Sequence, residues 1–351
     1  MVRDLKSRIE DMNISSDSLK EARFWRTMGG KIQCELCPHS CLIAPNKRGI
    51  CGVRRNVDGK LVSLIYGRAS SIHVDPIEKK PFFHFKPGDR VLSLGSVGCT
   101  FRCLHCQNFT ISQAEVDKFP LEYINPQDVT TMCQNTEAKG ISWTYNEPII
   151  WHEFACDASK IAKENGYYSL YVTNGYIQEE PLREISKYID GMNIDIKGFT
   201  EEFYRKICKA RLEPVLEATQ IAVGLGMHVE LTYLIIPNRN DTEEEIRRFV
   251  IWVRDSLGES IPVHFTRFHP DYMMTDVPST PLKTLEMALK IGKEEGLRFV
   301  YIGNVPHHEG EHTYCPKCGN LAIERVGFEV VHIDVKEGKC RKCGESLNII
   351  M

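Results

Sequence analysis

A chain of 351 residues with 42% hydrophobic side chains is long enough to bury a full core, and one large domain with smaller additions is the expected organisation. Its 44 basic and 47 acidic side chains are mixed along the sequence and give a net charge of −3, so neither nucleic acid nor an anionic membrane is expected as the main partner. The first residues lack the apolar run of a signal peptide, and no stretch is long enough to span a bilayer, which predicts a cytoplasmic protein.

Cysteine is the most informative residue type, because a reducing compartment disfavours disulfides and leaves metal binding or redox chemistry as the default use of 14 thiols. Three groups stand out by spacing: Cys34, Cys37, Cys41 and Cys51; Cys99, Cys103 and Cys106; and Cys315, Cys318, Cys340 and Cys343. The remaining Cys133, Cys156 and Cys208 stand alone, and isolated cysteines are usually small buried hydrophobes.

The amino-terminal group lies in the stretch "CELCPHSCLIAPNKRGIC" (34–51), within a Cys-rich segment expected to cover 1–87. Its spacing, C-x2-C-x3-C-x9-C, fits either zinc or an auxiliary [4Fe–4S] cluster and does not distinguish between them. A structural metal that organises a loop-rich segment too short for its own core is the favoured interpretation.

The middle of the chain alternates apolar, β-favouring runs with segments of helical character. The runs lie at 90–99, 140–145, 168–174, 191–197, 228–236 and 263–268, with a seventh at 299–305. Helical segments include 149–166, 179–189 and 241–258, and the last opens with Asp241 and Thr242 as candidate N-caps. Near-continuous apolar strands that alternate with helices indicate a parallel sheet covered on its outer face, and six or so such units predict an α/β barrel or an incomplete one.

Polar residues follow these runs at the point where each strand should end. They are Cys99 after the first, Glu147 after the second, Asn174 after the third, Asp195 and Lys197 at the close of the fourth, and His269 after the sixth. Ligands of barrels of this kind gather at the carboxyl ends of the strands. Because each of these residues follows the end of a strand, they are predicted to share one site.

The triplet in "GCTFRCLHCQN" (98–108) has the spacing C-x3-C-x2-C and no fourth cysteine nearby. Thiolates suit iron–sulfur clusters and zinc, and three of them would leave one iron of a [4Fe–4S] cube without a protein ligand. A zinc knuckle or a ferredoxin-type carrier with a distant fourth ligand is the structural alternative. The position at the end of a first barrel strand favours the catalytic interpretation, in which the open position is the reactive one.

With an aromatic residue just before its last cysteine, this triplet is the signature of the radical S-adenosylmethionine (radical SAM) enzymes, and His105 occupies the aromatic place here. The longer stretch "DPIEKKPFFHFKPGDRVLSLGSVGCTFRCLHCQN" resembles the group around the pyruvate formate-lyase activating enzyme, in particular the radical SAM proteins of the AmmeMemoRadiSam system. The resemblance runs from about Cys34 to the end of the chain.

The resemblance implies a partial (βα)6-type radical SAM barrel over 88–305. In this family the open iron is chelated by the amino and carboxylate groups of S-adenosylmethionine. An electron from the reduced cluster then cleaves the sulfonium to methionine and a 5′-deoxyadenosyl radical, which abstracts a hydrogen atom from the substrate. The protein supplies placement and a dry cavity.

Contacts with S-adenosylmethionine are also implied by the resemblance. Glu147, in "TYNEP", would accept hydrogen bonds from the methionine ammonium, while Tyr145 and Asn146 replace two glycines of the family motif. The other implied cofactor contacts are Asn174 in "TNG", Asp195 and Lys197 in "DIK", and His269 in "FHP". No catalytic side chain is assigned.

The carboxyl-terminal segment, 306–351, carries two C-x2-C pairs separated by 21 residues. Four thiolates at this spacing fit a structural zinc ribbon, and rubredoxin-type iron is the rival for the same geometry. Zinc is favoured, with a scaffolding or partner-docking role.

Three hypotheses about function follow. The first is an activating enzyme that abstracts hydrogen from a protein substrate and receives electrons from a low-potential donor such as ferredoxin or flavodoxin. The second is radical modification of a small molecule or side chain together with Memo-like and Amme-type partners. The third is a non-catalytic iron–sulfur or zinc docking protein, which would leave Glu147, Asp195, Lys197 and His269 unexplained.

Overall fold

The computed structural model describes residues 19–351, and one eight-stranded sheet organises them. Its strands are β1 (Ser71–Pro76), β2 (Arg90–Gly95), β3 (Gly140–Trp143), β4 (Tyr168–Thr173), β5 (Gly191–Asp195), β6 (His228–Ile235), β7 (Val263–Arg267) and β8 (Val300–Gly303). Strands β2 to β8 are parallel and adjacent in chain order, and β1 pairs antiparallel with β2. All seven predicted strands are confirmed.

The six longer helices of residues 19–351 connect the parallel strands. They are α1 (Pro126–Thr136), α2 (His152–Glu164), α3 (Glu179–Ile185), α4 (Glu213–Gly224), α5 (Glu243–Ser256) and α6 (Leu282–Glu294). Thr242 caps α5 through its hydroxyl, which accepts a hydrogen bond from the Glu245 amide, and three acidic residues occupy the first turn near the positive end of the helix dipole. In residues 19–351, no helix has both the length and the apolar character needed to cross a bilayer.

The sheet does not close on itself. Strands β1 and β8 are its two edges, so the architecture is a partial barrel, as the alternation of strands and helices predicted. Because β2 to β8 are parallel, their carboxyl ends all meet at the same rim, where the loops after β2, β3, β4 and β5 carry the polar residues noted above.

A buried carboxylate attaches the segment before β2 to the inner side chains of the sheet. Glu230 of β6 accepts hydrogen bonds from the backbone amides of Phe83 and His84 and contacts the imidazoles of His228 and His264 at 2.9 and 2.7 Å. Burial opposes ionisation, but these imidazoles hold the pKa of Glu230 well below its ordinary value. The fully satisfied carboxylate thereby fixes one wall of the space enclosed by the strands.

The amino-terminal part forms two small antiparallel sheets. One joins Lys20–Glu21, Lys60–Ser63 and Arg54–Val57, and the other joins Trp25–Met28, Lys31–Cys34 and Leu42–Ile43. The segment predicted to cover 1–87 also supplies β1, so the central sheet begins at Ser71. The boundary at residue 87 stays a prediction, as does the boundary at 305.

The carboxyl-terminal ribbon, residues 313–351, packs against β8 and the segment before β2. Its strands are Thr313–Tyr314, Leu321–Val326, Glu329–Ile333, Val335–Lys336 and Lys339–Cys340. Arg325 is fully buried, donates a hydrogen bond to the Phe83 carbonyl at 2.9 Å and stacks over the Phe83 ring at 4.0 Å. Phe83, Phe299 and Tyr301 of the body share one apolar cluster with the ribbon, and this cluster anchors the ribbon to the body.

Candidate active site

A cavity of about 580 Å³ opens at the carboxyl ends of the parallel strands. Among the residues predicted to form the site, those that line it are Cys99, Cys103, Cys106, Glu147, Asn174, Asp195 and Lys197. The structure thus brings together side chains from the loops after β2, β3, β4 and β5 around one space. A volume of this size is within the range of pockets for cofactor-sized ligands.

His269 lies away from this cavity. Its side chain is 74% exposed, and Nδ1 is 3.4 Å from the Asp271 carboxylate. Strand β7 ends at Arg267, and Phe268 takes the buried position that follows, which leaves the next residue in solvent. The role of His269 in cofactor binding stays a prediction that the geometry of this loop does not support.

The loop that carries the triplet is held at both ends by backbone contacts. Gly98 has φ +90°, and a Cβ atom there would lie 2.6 Å from the Cys51 carbonyl oxygen, so only glycine fits. The amides of Arg102 and Leu104 donate to the carbonyls of Cys208 and Ile207, in a π-helical turn over Tyr204–Cys208. The loop is therefore clamped between the amino-terminal segment and this turn.

The sulfur atoms of the triplet are spread rather than clustered. Within residues 19–351, the triplet is absent from the groups whose ligand atoms all lie within 4.8 Å of one another. A single zinc ion requires close sulfurs, whereas a [4Fe–4S] cube binds each thiolate through a different iron and holds the sulfurs farther apart. The spread of Cys99, Cys103 and Cys106 thus fits a cube.

Two of the triplet thiols have further partners. Cys99 Sγ accepts a hydrogen bond from the Phe101 amide at 3.3 Å, and Cys106 Sγ lies 3.1 Å from the Ser112 hydroxyl. Hydrogen bonds to cluster sulfurs are one means by which a protein adjusts a cluster's reduction potential. Donors to the sulfurs are therefore already in place.

Cys208 is not an isolated thiol. It is fully buried, as expected of a lone cysteine, but its thiol lies beside that of Cys103, so the structure sets a fourth sulfur next to the triplet. The contact is between residues 105 positions apart in the sequence, which is why spacing did not reveal it. Cys133 and Cys156 are buried as expected.

Glu147 is the best-anchored carboxylate of the site. Its oxygens accept hydrogen bonds from the Thr173 hydroxyl at 2.6 Å and from the amides of Ile149 and Asn174 at 3.1 and 2.8 Å. Burial raises the pKa of Glu147 to about 7, although these donors favour the charged form. With three donors bound, a carboxylate still has a lone-pair site for one more, such as an ammonium.

Asn174 connects the carboxylate to the triplet. Its amide Nδ2 donates to the Thr100 hydroxyl at 2.9 Å and lies 3.8 Å from Cys99 Sγ, while its backbone amide binds Glu147. The side-chain oxygen Oδ1 of Asn174 accepts a hydrogen bond from the backbone amide of Tyr176. Both ends of its side-chain amide and its backbone N–H are therefore hydrogen bonded, and the orientation of the side chain is set before any ligand arrives.

Asp195 and Lys197 form an ion pair with Nζ 2.8 Å from Oδ2. Burial lowers the pKa of Lys197, but the attraction of Asp195 more than offsets this and raises it above its ordinary value. The Lys197 backbone is fixed by the Tyr204 hydroxyl, which accepts from its amide, and by Asn240, which donates to its carbonyl. The pair presents one cation and one anion to the cavity at a defined position.

Tyr145 stands where the resembled motif has a glycine, and it adopts a conformation typical of glycine. Its φ is +73°, which is costly for a bulky side chain. The phenol donates to Asp75 Oδ2 at 2.6 Å, and Asn108 donates to the Tyr145 carbonyl at 2.8 Å. These contacts hold the backbone in the glycine-like shape without a glycine.

Sequence reasoning did not include several residues that line the cavity. Lys80 is buried, with Nζ 2.7 Å from Asp75 Oδ2, and burial lowers its pKa. Gly327 and Phe328, at the tip of a ribbon hairpin, also reach the cavity. The adjacent lysines in "EKKPFF" were a usable signal for Lys80, but no local pattern could have indicated a hairpin more than 200 residues away.

His105 lies where the family motif has an aromatic residue, and it is buried against the cavity. Its Nδ1 has no hydrogen-bond partner, and burial together with the nearby Lys197 lowers its pKa to about 3. A neutral imidazole with a free Nδ1 can offer a ligand both a flat apolar face and a polar contact.

The ribbon cysteines differ from the triplet in geometry. Cys315 Sγ lies 3.5 Å from Cys343 Sγ, and Cys318 Sγ lies 3.8 Å from Cys340 Sγ. Tetrahedral zinc with Zn–S bonds of 2.3 Å separates its sulfurs by about 3.8 Å. The four ribbon thiols thus fit one tetrahedral ion.

The fold and the matched domain define a radical SAM enzyme. Residues 94–250 match the family model described as the radical SAM superfamily. The radical SAM family implies a [4Fe–4S] cluster and S-adenosylmethionine, and the separation of the triplet sulfurs fits such a cluster.

Individual proteins are also similar to this chain. An uncharacterized protein of Methanocaldococcus jannaschii is 49% identical over 95% of this chain and all of that protein. Pyruvate formate-lyase 1-activating enzyme of Escherichia coli K12 is 22% identical, with 61% of this chain and 93% of the enzyme covered. The structure of Streptococcus suis SuiB bound to S-adenosylmethionine shares the fold, with a TM-score of 0.50 and 12% identity over 68% of this chain and 56% of that chain.

Proposed function

We propose that this protein is an activating-enzyme-like radical SAM enzyme that removes a hydrogen atom from a polypeptide. The observation that carries the proposal is the composition of the cavity. The triplet and a buried set of ionic side chains surround one space, and a hairpin of the ribbon stands at its margin. Similarity to pyruvate formate-lyase activating enzymes supports this choice among radical SAM functions.

In this proposal Cys99, Cys103 and Cys106 hold the cluster. Bound there, the cluster and S-adenosylmethionine would supply one-electron cleavage of the sulfonium and a carbon radical that takes hydrogen from the substrate. The protein contributes position and exclusion of water. The buried Thr173, Asn174 and Glu147 form a wall that is satisfied within itself and presents few free polar groups.

The charged residues have complementary roles toward S-adenosylmethionine. Glu147 binds the ammonium through its remaining lone pair, since its other acceptor positions are taken by the protein. Lys197 attracts the carboxylate, and Asp195 accepts from the ribose hydroxyls while it holds the lysine in place. Each group is preorganised, so little ordering cost remains on binding.

A polypeptide substrate is supported by the surface around the opening. Val326, just before the hairpin turn, and Phe328, within the turn, are 43% and 47% exposed, and Phe328 reaches the cavity. Val331 extends this apolar patch along the next strand, with 55% exposure. Exposed apolar groups next to a reactive cavity suit the docking of a protein chain.

The ribbon itself is proposed to bind zinc through Cys315, Cys318, Cys340 and Cys343, with a structural role. The metal would fix the two knuckles that support the hairpin. Electrons would come from a low-potential protein donor such as ferredoxin or flavodoxin. Modification of a side chain or small molecule together with Memo-like and Amme-type proteins, the partners suggested by the AmmeMemoRadiSam resemblance, is the second candidate.

An anaerobic assay with the full chain tests the function. Reconstituted protein, S-adenosylmethionine and dithionite should yield 5′-deoxyadenosine and methionine in equal amounts. Candidate partner proteins, including glycyl-radical enzymes and Memo-like and Amme-type proteins, should then be added singly. An organic radical in the partner, detected by EPR, supports the activating role, whereas a diamagnetic modified product supports the second candidate. The absence of 5′-deoxyadenosine from cluster-loaded protein would contradict both.

A further inference from the structure

The amino-terminal cysteines converge on one small pocket, although the proposed function does not use them. Cys34, Cys37, Cys41 and Cys51 all line it, together with His39 and Arg54. The Cys34 amide donates to the Cys41 carbonyl at 3.0 Å, which brings the two arms of the segment together. Four thiols that approach one pocket from a loop-rich segment constitute a ligand set rather than four packing residues.

The distances between the sulfur atoms of these thiols distinguish a zinc ion from an iron–sulfur cluster. Across residues 19–351, the groups whose ligand atoms lie within 4.8 Å of one another include the four ribbon cysteines and do not include any three of the amino-terminal four. A single zinc ion would require sulfurs about 3.8 Å apart, as in the ribbon. Like the triplet, the amino-terminal set has no three sulfurs within 4.8 Å of one another, and a cube that binds each thiolate through a different iron accommodates the wider separation.

Backbone amides already point at these sulfurs. The Ile50 amide donates to Cys41 Sγ at 3.5 Å, and backbone groups of His39 and Val53 hydrogen bond with Cys37 and Cys51. Amide donors of this kind stabilise thiolates and the sulfur atoms of clusters.

A buried cation also faces the pocket. The Arg54 side chain is 1% exposed, and its terminal nitrogens bind the Glu153 carboxylate and the Arg23 carbonyl. Its Nε has no hydrogen-bond partner, although the guanidinium lies beside Cys34 and Cys51. A buried donor is costly to leave unpaired, and an anionic cluster at the four cysteines would supply the acceptor.

The pocket adjoins the triplet. Thr100 lines it, and its carbonyl lies 2.8 Å from His39 Nε2, while its hydroxyl accepts from Asn174. The Cys51 carbonyl lies against Gly98, one residue before Cys99. A group held by the amino-terminal cysteines would therefore be connected to the triplet loop through the contacts of Thr100 and Gly98.

We infer that Cys34, Cys37, Cys41 and Cys51 bind a second [4Fe–4S] cluster rather than zinc. This reverses the preference for a structural metal drawn from the sequence spacing alone. The reason is that no three of these sulfurs lie within 4.8 Å of one another. All four positions of this cluster are filled by protein, so it has no open iron and is suited to electron transfer rather than to substrate binding.

Metal content tests the inference on the full chain after anaerobic reconstitution and gel filtration. The unchanged protein should contain about eight irons and about eight sulfides per chain, together with about one zinc. About four irons with about two zincs per chain would overturn the inference, and this count needs no variant.

Paired variants assign the two clusters. Cys34→Ser with Cys37→Ser should lower iron to about four per chain, and Cys99→Ser with Cys103→Ser should also leave about four. Cys133→Ser, at a buried cysteine outside the three groups, serves as the control and should keep about eight. If the triplet variant holds no iron while its CD spectrum is unchanged, the second cluster does not exist. Because this readout is iron, a chain that fails to cleave S-adenosylmethionine would contradict the proposed function without altering the count.

Discussion

The thiol of Cys208 lies beside the thiol of Cys103, and both are buried at the base of the triplet loop. Cys208 belongs to the π-helical turn whose carbonyls bind the loop backbone. π-Helical turns are frequent at functional sites. Cys208 is thus a structural partner of a proposed cluster ligand.

This contact predicts different outcomes for two substitutions. Cys103→Ala should abolish 5′-deoxyadenosine formation but retain some cluster iron, because Cys208 is close enough to act as a replacement ligand. Cys208→Ala alone should keep the cluster and lower the rate by about tenfold, as expected for a partner of a ligand. The double variant should lose the iron of the triplet. Equal iron in the Cys103→Ala and double variants would show that Cys208 cannot substitute.

Glu147 predicts a pH dependence of S-adenosylmethionine binding. Burial raises its pKa to about 7, so the carboxylate is protonated in acid and gains its charge as the pH rises. Affinity should therefore increase from about pH 6 to about pH 8 and then level off. In Glu147→Gln the increase should disappear, and binding at the higher pH should weaken about 10–100-fold. Equilibrium dialysis across this range measures both effects. An unchanged pH profile in the variant would show that Glu147 does not bind the ammonium group.

The same pKa has a consequence for stability. The pKa of Glu147 is raised in the folded protein, so the unfolded chain ionises first as the pH rises. The free energy of unfolding should accordingly fall between about pH 4.5 and about pH 7, and Glu147→Gln should flatten this part of the profile. Chemical denaturation of the metal-free protein at several pH values, compared with the variant, isolates the contribution.

Gly98 joins the amino-terminal segment to the triplet loop and should not tolerate a side chain. In Gly98→Ala the new methyl group would meet the Cys51 carbonyl at 2.6 Å while φ stays at +90°. A loss of about 2 kcal/mol or more is expected, since both strain and a clash must be relieved. Gly224→Ala, in α4 with no atom within 4 Å of the added methyl, is the matched control. It should be neutral or stabilising by up to about 1 kcal/mol. Similar melting temperatures for the two variants would contradict the close approach seen here.

The hairpin at the cavity margin predicts a change in partner recognition. Phe328→Ser should lower partner-stimulated 5′-deoxyadenosine formation about tenfold or more and reduce the partner-free rate much less, because an aromatic group at an interface centre often dominates binding. Met28→Ser, at a similarly exposed apolar position in the amino-terminal part and away from the cavity, is the control. Truncation after Val305 is a poorer test, since it would also uncover Phe83 and Tyr301. Equal losses in the partner-stimulated and partner-free rates for Phe328→Ser would show that the hairpin supports the active site itself and does not act in partner docking.

The sequence by itself determined the order of strands and helices, the grouping of cysteines and the rim at which the polar residues meet. These features depend on short-range patterns, because apolar runs specify strands and a parallel sheet places all carboxyl ends together. Glu147, Asn174, Asp195 and Lys197 line one cavity for that reason.

Only the tertiary structure decided which side chains enter that cavity and how far apart the thiols lie. His269 follows its strand by two residues and turns outward, whereas Cys208 and Phe328 arrive from distant turns that no local pattern connects to the triplet. The amino-terminal and ribbon cysteines have similar knuckle spacings but different sulfur separations, because packing against the loop at Gly98 or against Phe83 sets the shape of each segment. The spacing of cysteines in the sequence limits which metals or clusters they can bind. The packing of remote segments sets the distances between the sulfurs, and these distances distinguish zinc from an iron–sulfur cluster.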